Sequence, residues 1–442
     1  MTCLAPWSTL VLTAVLLLPG CRDDQEDGDA GASSDTTADT TQGSVTGTGV
    51  DSGSTTTMDT TAGSSTSSSD DGSTTLVDPT TGDDTTGGPA CGDGVPVAGE
   101  LCFGPSSMVD DVPAGALVLG DLDGNGSLDL LAGHPGAFSV RLGLGDGSFD
   151  APIDIPAPSG VLGLVLGDLD DDGTLDAIAA NTGNDTVGIH LGNGDGTFGA
   201  ADLIDVGDSP RGLALGDFDG DAVLDLAVAN EASGDVTILT GVGDGGFSFD
   251  STLTVGTSPI AIATIDLNGA GPPDLAVLNF GAGTISVFQT MAGGTFTPEA
   301  AFTTGVAPRA LVARDFDGDG DLDIGTPNQA NDDFSVLLGN GTGGLLNAVF
   351  FPTGGAPRHA AAGDFDADGL WDVALALEGA DAVGLLRSDQ AGMLSFEAGD
   401  PLPTLARPSV VAIGDLDGDG VDDIVVGSIE AGGGIAVILA DP

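Results

Sequence analysis

The sequence predicts an all-β fold: a seven-bladed β-propeller of four-stranded blades, closed by an N-terminal strand and preceded by a disordered tether. Three observations carry this. One acidic nonapeptide recurs seven times at a nearly constant interval, each interval holds four short strand-like runs, and the last interval is one run short.

The nonapeptide first appears as Asp121-Leu122-Asp123-Gly124-Asn125-Gly126-Ser127-Leu128-Asp129 and starts again at Asp168, Asp217, Asp266, Asp315, Asp364 and Asp415. Successive starts lie 47, 49, 49, 49, 49 and 51 residues apart. In the third unit, the apolar lead-in Gly212-Leu213-Ala214-Leu215-Gly216 precedes the acidic loop. A second run, Leu224 to Ala229, follows it. An alternating run, Asp235 to Leu239, reaches a Gly-Asp-Gly turn, and Phe247 opens a last strand that ends near Val255. Four short strands bounded by Gly, Pro and Asn turns at this period predict propeller blades, and the lack of a sustained 3.6-residue apolar period excludes helical solenoids. The final unit stops at Ile435–Leu439, while an orphan segment from Cys102 to Pro113 aligns with the fourth strand of the other units. A ring of seven blades follows, the orphan strand completing the seventh and leaving no open sheet edge at the seam. The expected divisions are a signal peptide (1–20), a tether (21–88), a two-cysteine segment with the closing strand (89–112) and the propeller (113–442).

Composition agrees with an exported protein conditional on a cation. The 442 residues carry 68 acids against 8 arginines, with no Lys and no Tyr, for a net charge of −60. That balance excludes nucleic acid and acidic lipid headgroups as partners, since both would be repelled. The run Leu10–Leu18 is too short to span a bilayer and fits the apolar region of a signal peptide. Residues 22–88 collapse to Ser, Thr, Gly and Asp, with 14 acids and, beyond Arg22, no cation. Such a segment buries too little to offset its ordering entropy and predicts a self-repelling tether.

The acidic loops predict calcium. Carboxylates at positions 1, 3 and 5 with Gly at position 6 give a hard dication the six to eight oxygens it wants. Position 9 is always Asp, whereas position 12, where an EF-hand needs Glu, is Ala132, Ala179, Val228, Val277, Thr326, Leu375 or Val426. The loop therefore leads into a buried strand and not an exiting helix. Candidate ligands are Asp121, Asp123, Asn125 and Asp129; Asp168, Asp170, Asp172 and Asp176; Asp217, Asp219, Asp221 and Asp225; Asp315, Asp317, Asp319 and Asp323; Asp364, Asp366, Asp368 and Asp372; and Asp415, Asp417, Asp419 and Asp423. Ala222 replaces the glycine of the third loop, which predicts a strained turn. The fourth loop keeps only Asp266 and Asp274 as acids, around Asn268, Ala270, Pro272 and Pro273, and predicts little or no metal. Five to six calcium sites are expected, and magnesium is disfavoured because it keeps more of its waters.

These units resemble FG-GAP repeats, also called VCBS repeats, which build the seven-bladed head of integrin α chains and many bacterial surface proteins. The name's pieces stand here as Phe198-Gly199 and Gly355-Ala356-Pro357. The resemblance covers roughly Leu101 to Leu439 and implies structural calcium loops on the face opposite the usual ligand surface. Leu18-Pro19-Gly20-Cys21 resembles a bacterial lipobox, which implies lipidation of Cys21 and an anchor on the outer membrane or cell surface; plain secretion is the alternative. Cys91 and Cys102 sit in a stretch that resembles a short disulfide motif of myxobacterial surface proteins, although Phe103 stands where that motif has Asp. A close pair in an exported chain favours a disulfide, and two thiols without a nearby His make an incomplete zinc site.

On the face opposite the loops, Arg211, Arg309 and Arg358 share one repeat position, just after the inter-blade Pro, with His359 beside the last. They are candidate ligand residues, as a cationic ring in a negative field, or else they pair with neighbouring carboxylates. Asn181, Asn230, Asn279 and Asn328 recur at the ends of second strands and read as turn formers. Trp371 holds a loop position given to Leu elsewhere and is expected in the core. His134, His190 and His359 occupy unlike positions, and no Ser–His–Asp or separate paired-carboxylate set is present. The expectation is a monomeric, non-enzymatic, calcium-stabilised recognition or adhesion module, with an extracellular protein or glycan as partner. The alternative is a carbohydrate-binding or polysaccharide-acting propeller, which the lack of Tyr and the single Trp of the mature chain disfavour.

Overall fold

Each repeat folds as one blade because its apolar runs are short, Gly-punctuated and apolar on both faces, a pattern suited to strands stacked between two neighbouring sheets. A computed structural model describes residues 102–442 except 367, 389–395, 399–400, 431–432 and 441–442. The signal peptide, Cys21, the tether and Cys91 lie outside the described residues. Cys102 is buried.

The fold is an all-β, seven-bladed propeller of four-stranded blades. The third blade shows the plan. Pro210–Gly216 lies innermost and is followed outward by Asp225–Asn230, Asp235–Gly241 and Phe247–Thr254, each antiparallel to the one before. The sixth blade divides its outer position between Phe396–Ala398 and Leu402–Pro403, and the fourth adds a hairpin of Thr290–Met291 and Thr295–Phe296. Second strands such as Asp225–Asn230 are buried at every residue.

The core divides into seven clusters, one between each pair of neighbouring blades. Val118, Leu131 and Phe138 of the first blade, for example, pack on Leu164, Leu166 and Ala177 of the second. Burying a Leu, Ile, Val or Phe side chain contributes about 1.5–3 kcal/mol, so each interface is a substantial share of the fold's stability.

The last blade is built from both ends of the propeller. Val410–Gly414, Asp423–Gly427 and Ile435–Ile438 are completed by Ser107–Asp110, with Ser107 opposite Val437 and Asp110 opposite Ile435. The Gly104 amide donates to the Leu439 carbonyl at 2.8 Å, and the Phe103 ring meets Phe365 edge-on at 5.8 Å. Asp110 also forms an ion pair with buried Arg141 of the first blade. The N-terminal strand thus closes the ring as its sequence alignment predicts.

A second set of contacts links the blades at the acidic-loop end. The turn after the third strand of one blade, Gly-Asp-Gly at Gly194–Gly196 and Gly-Thr-Gly at Gly341–Gly343, reaches the loop of the blade before it: Gly196 N–H donates to Leu122 O at 3.2 Å and Gly343 N–H to Leu267 O at 2.9 Å. Gly147 N–H donates to Leu416 O at 3.1 Å, across the seam between the first and last blades. A Cβ on Gly147 would stand 2.6 Å from Leu439, which explains glycine in this turn.

Candidate functional site

Each acidic loop joins the innermost strand of its blade to the second strand, so the repeat places all seven loops at one end of the channel. Within a loop the carboxylates first organise their own backbone. Position 1 accepts the position 6 N–H through Oδ2, as in Gly126 to Asp121 at 2.9 Å and Gly320 to Asp315 at 2.9 Å. Position 5 accepts the N–H two residues on, as in Ser127 to Asn125 at 2.7 Å and Val223 to Asp221 at 2.8 Å. Left-handed backbone at position 6 permits the fold-back: φ is 90° at Gly126, 94° at Gly320 and 72° at Ala222. Position 4 is left-handed too, with φ 72° at Gly124 and 58° at Asp171, a requirement the sequence reading missed although Gly recurs there.

Position 9 has a second role that spacing alone does not reveal. Asp176 Oδ2 accepts from Leu169 N–H at 2.8 Å, and its Oδ1 accepts from Gly192 N–H at 2.7 Å, at the exit of the third strand. Asp129, Asp225, Asp323 and Asp423 do the same. One buried carboxylate therefore ties loop, second strand and third strand together.

This wiring leaves the loop in need of positive charge. Carboxylate oxygens of positions 1, 3 and 9 lie within 4.8 Å of one another in the loops of Asp121, Asp168, Asp217, Asp315 and Asp364. Burial first, and the neighbouring carboxylates after it, push Asp129 up to about 6 and Asp323, Asp372 and Asp423 up to about 7, against the lowering effect of their backbone donors. Buried oxygens at position 3, Asp170 Oδ1 and Asp366 Oδ2, accept no hydrogen bond among the described residues. Arg387 Nε stands 3.6 Å from Asp366 Oδ2.

In the fourth loop a side-chain amide answers the position 9 carboxylate. Asn268 Nδ2 donates to Asp274 Oδ2 at 2.9 Å, and Thr290 Oγ1 donates to Pro273 O at 2.6 Å.

At the other end of the innermost strands, Arg211, Arg309 and Arg358 all line one cavity of about 210 Å³ in the central channel. Register slips by one residue at this position, between Pro210 and Gly212 and between Pro357 and His359. Such bulges re-aim a side chain, and here they fall at Arg211 and Arg358 and equally at Leu162 and Ile260 of the second and fourth blades. Arg211 pairs with Glu231 at 2.9 Å and Arg358 with Glu378 at 3.3 Å. Arg309 instead donates from Nε to Gln329 Oε1 at 2.7 Å and lies 4.4 Å over the Phe280 ring. His359 is not a cation here: burial in the channel wall, then the field of Arg358, lowers its pKa to about 4. Its Nδ1 accepts from the Val411 amide at 3.4 Å.

This packing corrects one sequence expectation and extends another. Trp371 is 37% exposed, not core, and its ring lies 4.6 Å beneath the Arg314 guanidinium. The recurring Asn residues do open turns, as where Gly234 N–H donates to Asn230 O at 3.0 Å, and their buried side chains are also braces between strands. Asn230 Nδ2 donates to Asp235 at 2.8 Å and Thr237 at 2.9 Å, and Asn328 does likewise to Asp333 and Ser335.

A family model for the FG-GAP-like repeat matches residues 121–179, 168–228, 217–277, 266–326 and 364–426. The chain belongs to the FG-GAP-like repeat family. Among solved structures, BBS1N in complex with ARL6DN matches at 12% identity over 78% of this chain and 98% of that one, with a TM-score of 0.54. A protein from Lactobacillus plantarum matches at 16% identity over 67% and 86%, TM-score 0.52. A catalytically inactive virginiamycin B lyase from Staphylococcus aureus, solved with quinupristin, matches at 13% over 76% and 99%, TM-score 0.50. At these identities the likeness shows the fold alone. A search of curated proteins finds no match.

Proposed function

We propose that this protein is a calcium-stabilised propeller that serves as a non-enzymatic recognition or adhesion module at a bacterial surface. The observation that carries the reading is the repeated triad of converging carboxylates, with the buried Asp170 Oδ1 at position 3 accepting no hydrogen bond among the described residues. A hard divalent cation fits that donor set, because it takes several oxygens at once and relieves their mutual repulsion. The loops starting at Asp121, Asp168, Asp217, Asp315, Asp364 and Asp415 would hold it, and the fourth would not.

In this reading Cys21 carries the lipid anchor, residues 22–88 form the tether, and a Cys91–Cys102 disulfide clamps the closing strand where the tether pulls. The channel mouth, remote from the calcium loops, meets the partner, an extracellular protein or glycan. Trp371, the one Trp beyond the signal segment, has a ring face covered by Arg314, which favours a protein or small acid over a stacked sugar.

Chelation tests the metal. A ligand at 100 times its Kd stabilises by about 2.7 kcal/mol per site, so adding a calcium chelator should lower Tm by many degrees. An unchanged Tm refutes the calcium assignment. Crosslinking and pull-down from intact cells tests the module, with a captured surface protein expected; turnover of a polysaccharide overturns it.

A further inference from the structure

Four of the chain's eight arginines line one cavity in a protein of net charge −60: Arg314, which lies over Trp371 at the acidic-loop end of its strand, and the three of the shared repeat position, of which only Arg309 lacks a carboxylate partner. Glu231 answers Arg211. Glu378 answers Arg358, but it is shared with Arg407, which also pairs with Glu430 at 2.9 Å. Arg309 is held by neutral groups instead. Gln329 accepts from its Nε and is itself fixed by a hydrogen bond to Glu378, while Phe280 supports the flat face of the guanidinium. These contacts orient the group without cancelling its charge. They also leave both Nη atoms, the natural fork for a carboxylate, without a protein acceptor among the described residues.

We propose that Arg309 anchors an anion site in the channel mouth, one that takes the carboxylate group of a compact organic acid or of a chain terminus. The reasoning is one of charge, size and wall. At the mouth, away from Arg314, the three arginines of the shared repeat position against Glu231 and Glu378 leave a single unmatched positive charge, which suits a monoanion better than a phosphate. A cavity of about 210 Å³ falls below the roughly 300–1,000 Å³ of pockets for drug-sized ligands, so only a small acid or one terminal residue enters. Leu162, Ile260 and Leu311 supply an apolar wall for a short aliphatic body. Neutral His359 and the Gln329 amide add no competing negative charge. The site deepens the recognition reading above and rests on it.

The test uses the full chain loaded with calcium and measures Kd by calorimetry. Isobutyrate and isobutyramide share size and shape but differ in charge and in one acceptor oxygen, and an acetylated peptide ending in valine is offered with a free or an amidated C-terminus. Isobutyrate should bind and isobutyramide should not. Arg309→Gln should weaken isobutyrate by about tenfold or more, the loss expected for a charged hydrogen bond. Arg309→Lys should fall between, because it keeps the charge and loses the fork. Glu231→Gln should tighten binding severalfold by freeing a second charge. Tighter binding of the free-acid peptide than of isobutyrate assigns the site to chain termini, and the reverse order assigns it to small acids. Equal affinity for the amide, or no effect of either Arg309 variant, overturns the proposal. Because the calcium dependence of Tm is read separately, failure here is distinguishable from failure of the metal reading.

Discussion

Ala222 holds a backbone angle, φ 72°, that six other loops give to glycine at the same position. Space is not the difficulty, since a Cβ at Gly126, Gly173 or Gly320 would meet nothing within 4 Å. The difficulty is intrinsic: the left-handed region costs an L-residue roughly 1–2 kcal/mol. Ala222→Gly is therefore expected to raise calcium affinity at the third loop and to stabilise the protein by about 1 kcal/mol, less some entropy returned to the unfolded chain. Urea unfolding at saturating calcium checks this, and a destabilised variant would show that the loop carries no strain. At this scale the sequence spoke clearly wherever chemistry is local. Position 6 was legible because only Gly turns there freely. The position 9 aspartate was legible as an acid but not as a clamp, because its partners, such as Gly192 for Asp176, lie 16 residues away on another strand.

The acidic loop is one element written in two versions. Six copies gather carboxylates, while the fourth spends an amide to satisfy Asp274 from within. The two versions separate experimentally. Asn268→Ala leaves a buried carboxylate short of a donor and should cost about 1–3 kcal/mol, equally with calcium and with chelator. Asp170→Asn should cost stability only when calcium is present. If the Asn268→Ala penalty disappears in chelator, the fourth loop is a metal loop after all. The sequence foretold that this loop differs, from its two prolines and missing acids, but not how it is satisfied. Side-chain amides at fixed spacing look the same whether they point to water or to a buried oxygen. The same blindness applies to the recurrent asparagines: Asn230 reads as a turn residue and opens a turn, but the bracing role of its buried side chain does not show in sequence.

For the whole molecule, repeat arithmetic was the most informative signal. Blade count, strand count and the orphan N-terminal strand were all legible, because a propeller blade is a periodic unit and the seam is where the period breaks. The channel mouth was only half legible. Three arginines at one repeat position stood out, but the bulges that occur there and the Gln329–Phe280 seat of Arg309 depend on register and neighbouring blades. Closure carries its own prediction. Removing residues 91–112 deletes the fourth strand of the last blade and the Asp110–Arg141 pair, whereas removing 22–88 deletes no described contact. The first truncation should lower Tm far more than the second; equal melting temperatures would refute the closing role.

The seam also sets a timetable for folding. Ser107 hydrogen-bonds to Val437 across 330 residues of chain, so the earliest strand of the ring is paired only with the last. Contacts of such long range are slow to form, because loop-closure entropy is paid before they reward it. Inner blades can assemble in order as the chain emerges, but the ring stays an open arc until its final strand arrives. Completion of the sheet is thus a check on the length of the chain itself: a product broken anywhere before Ile435 keeps an unpaired edge.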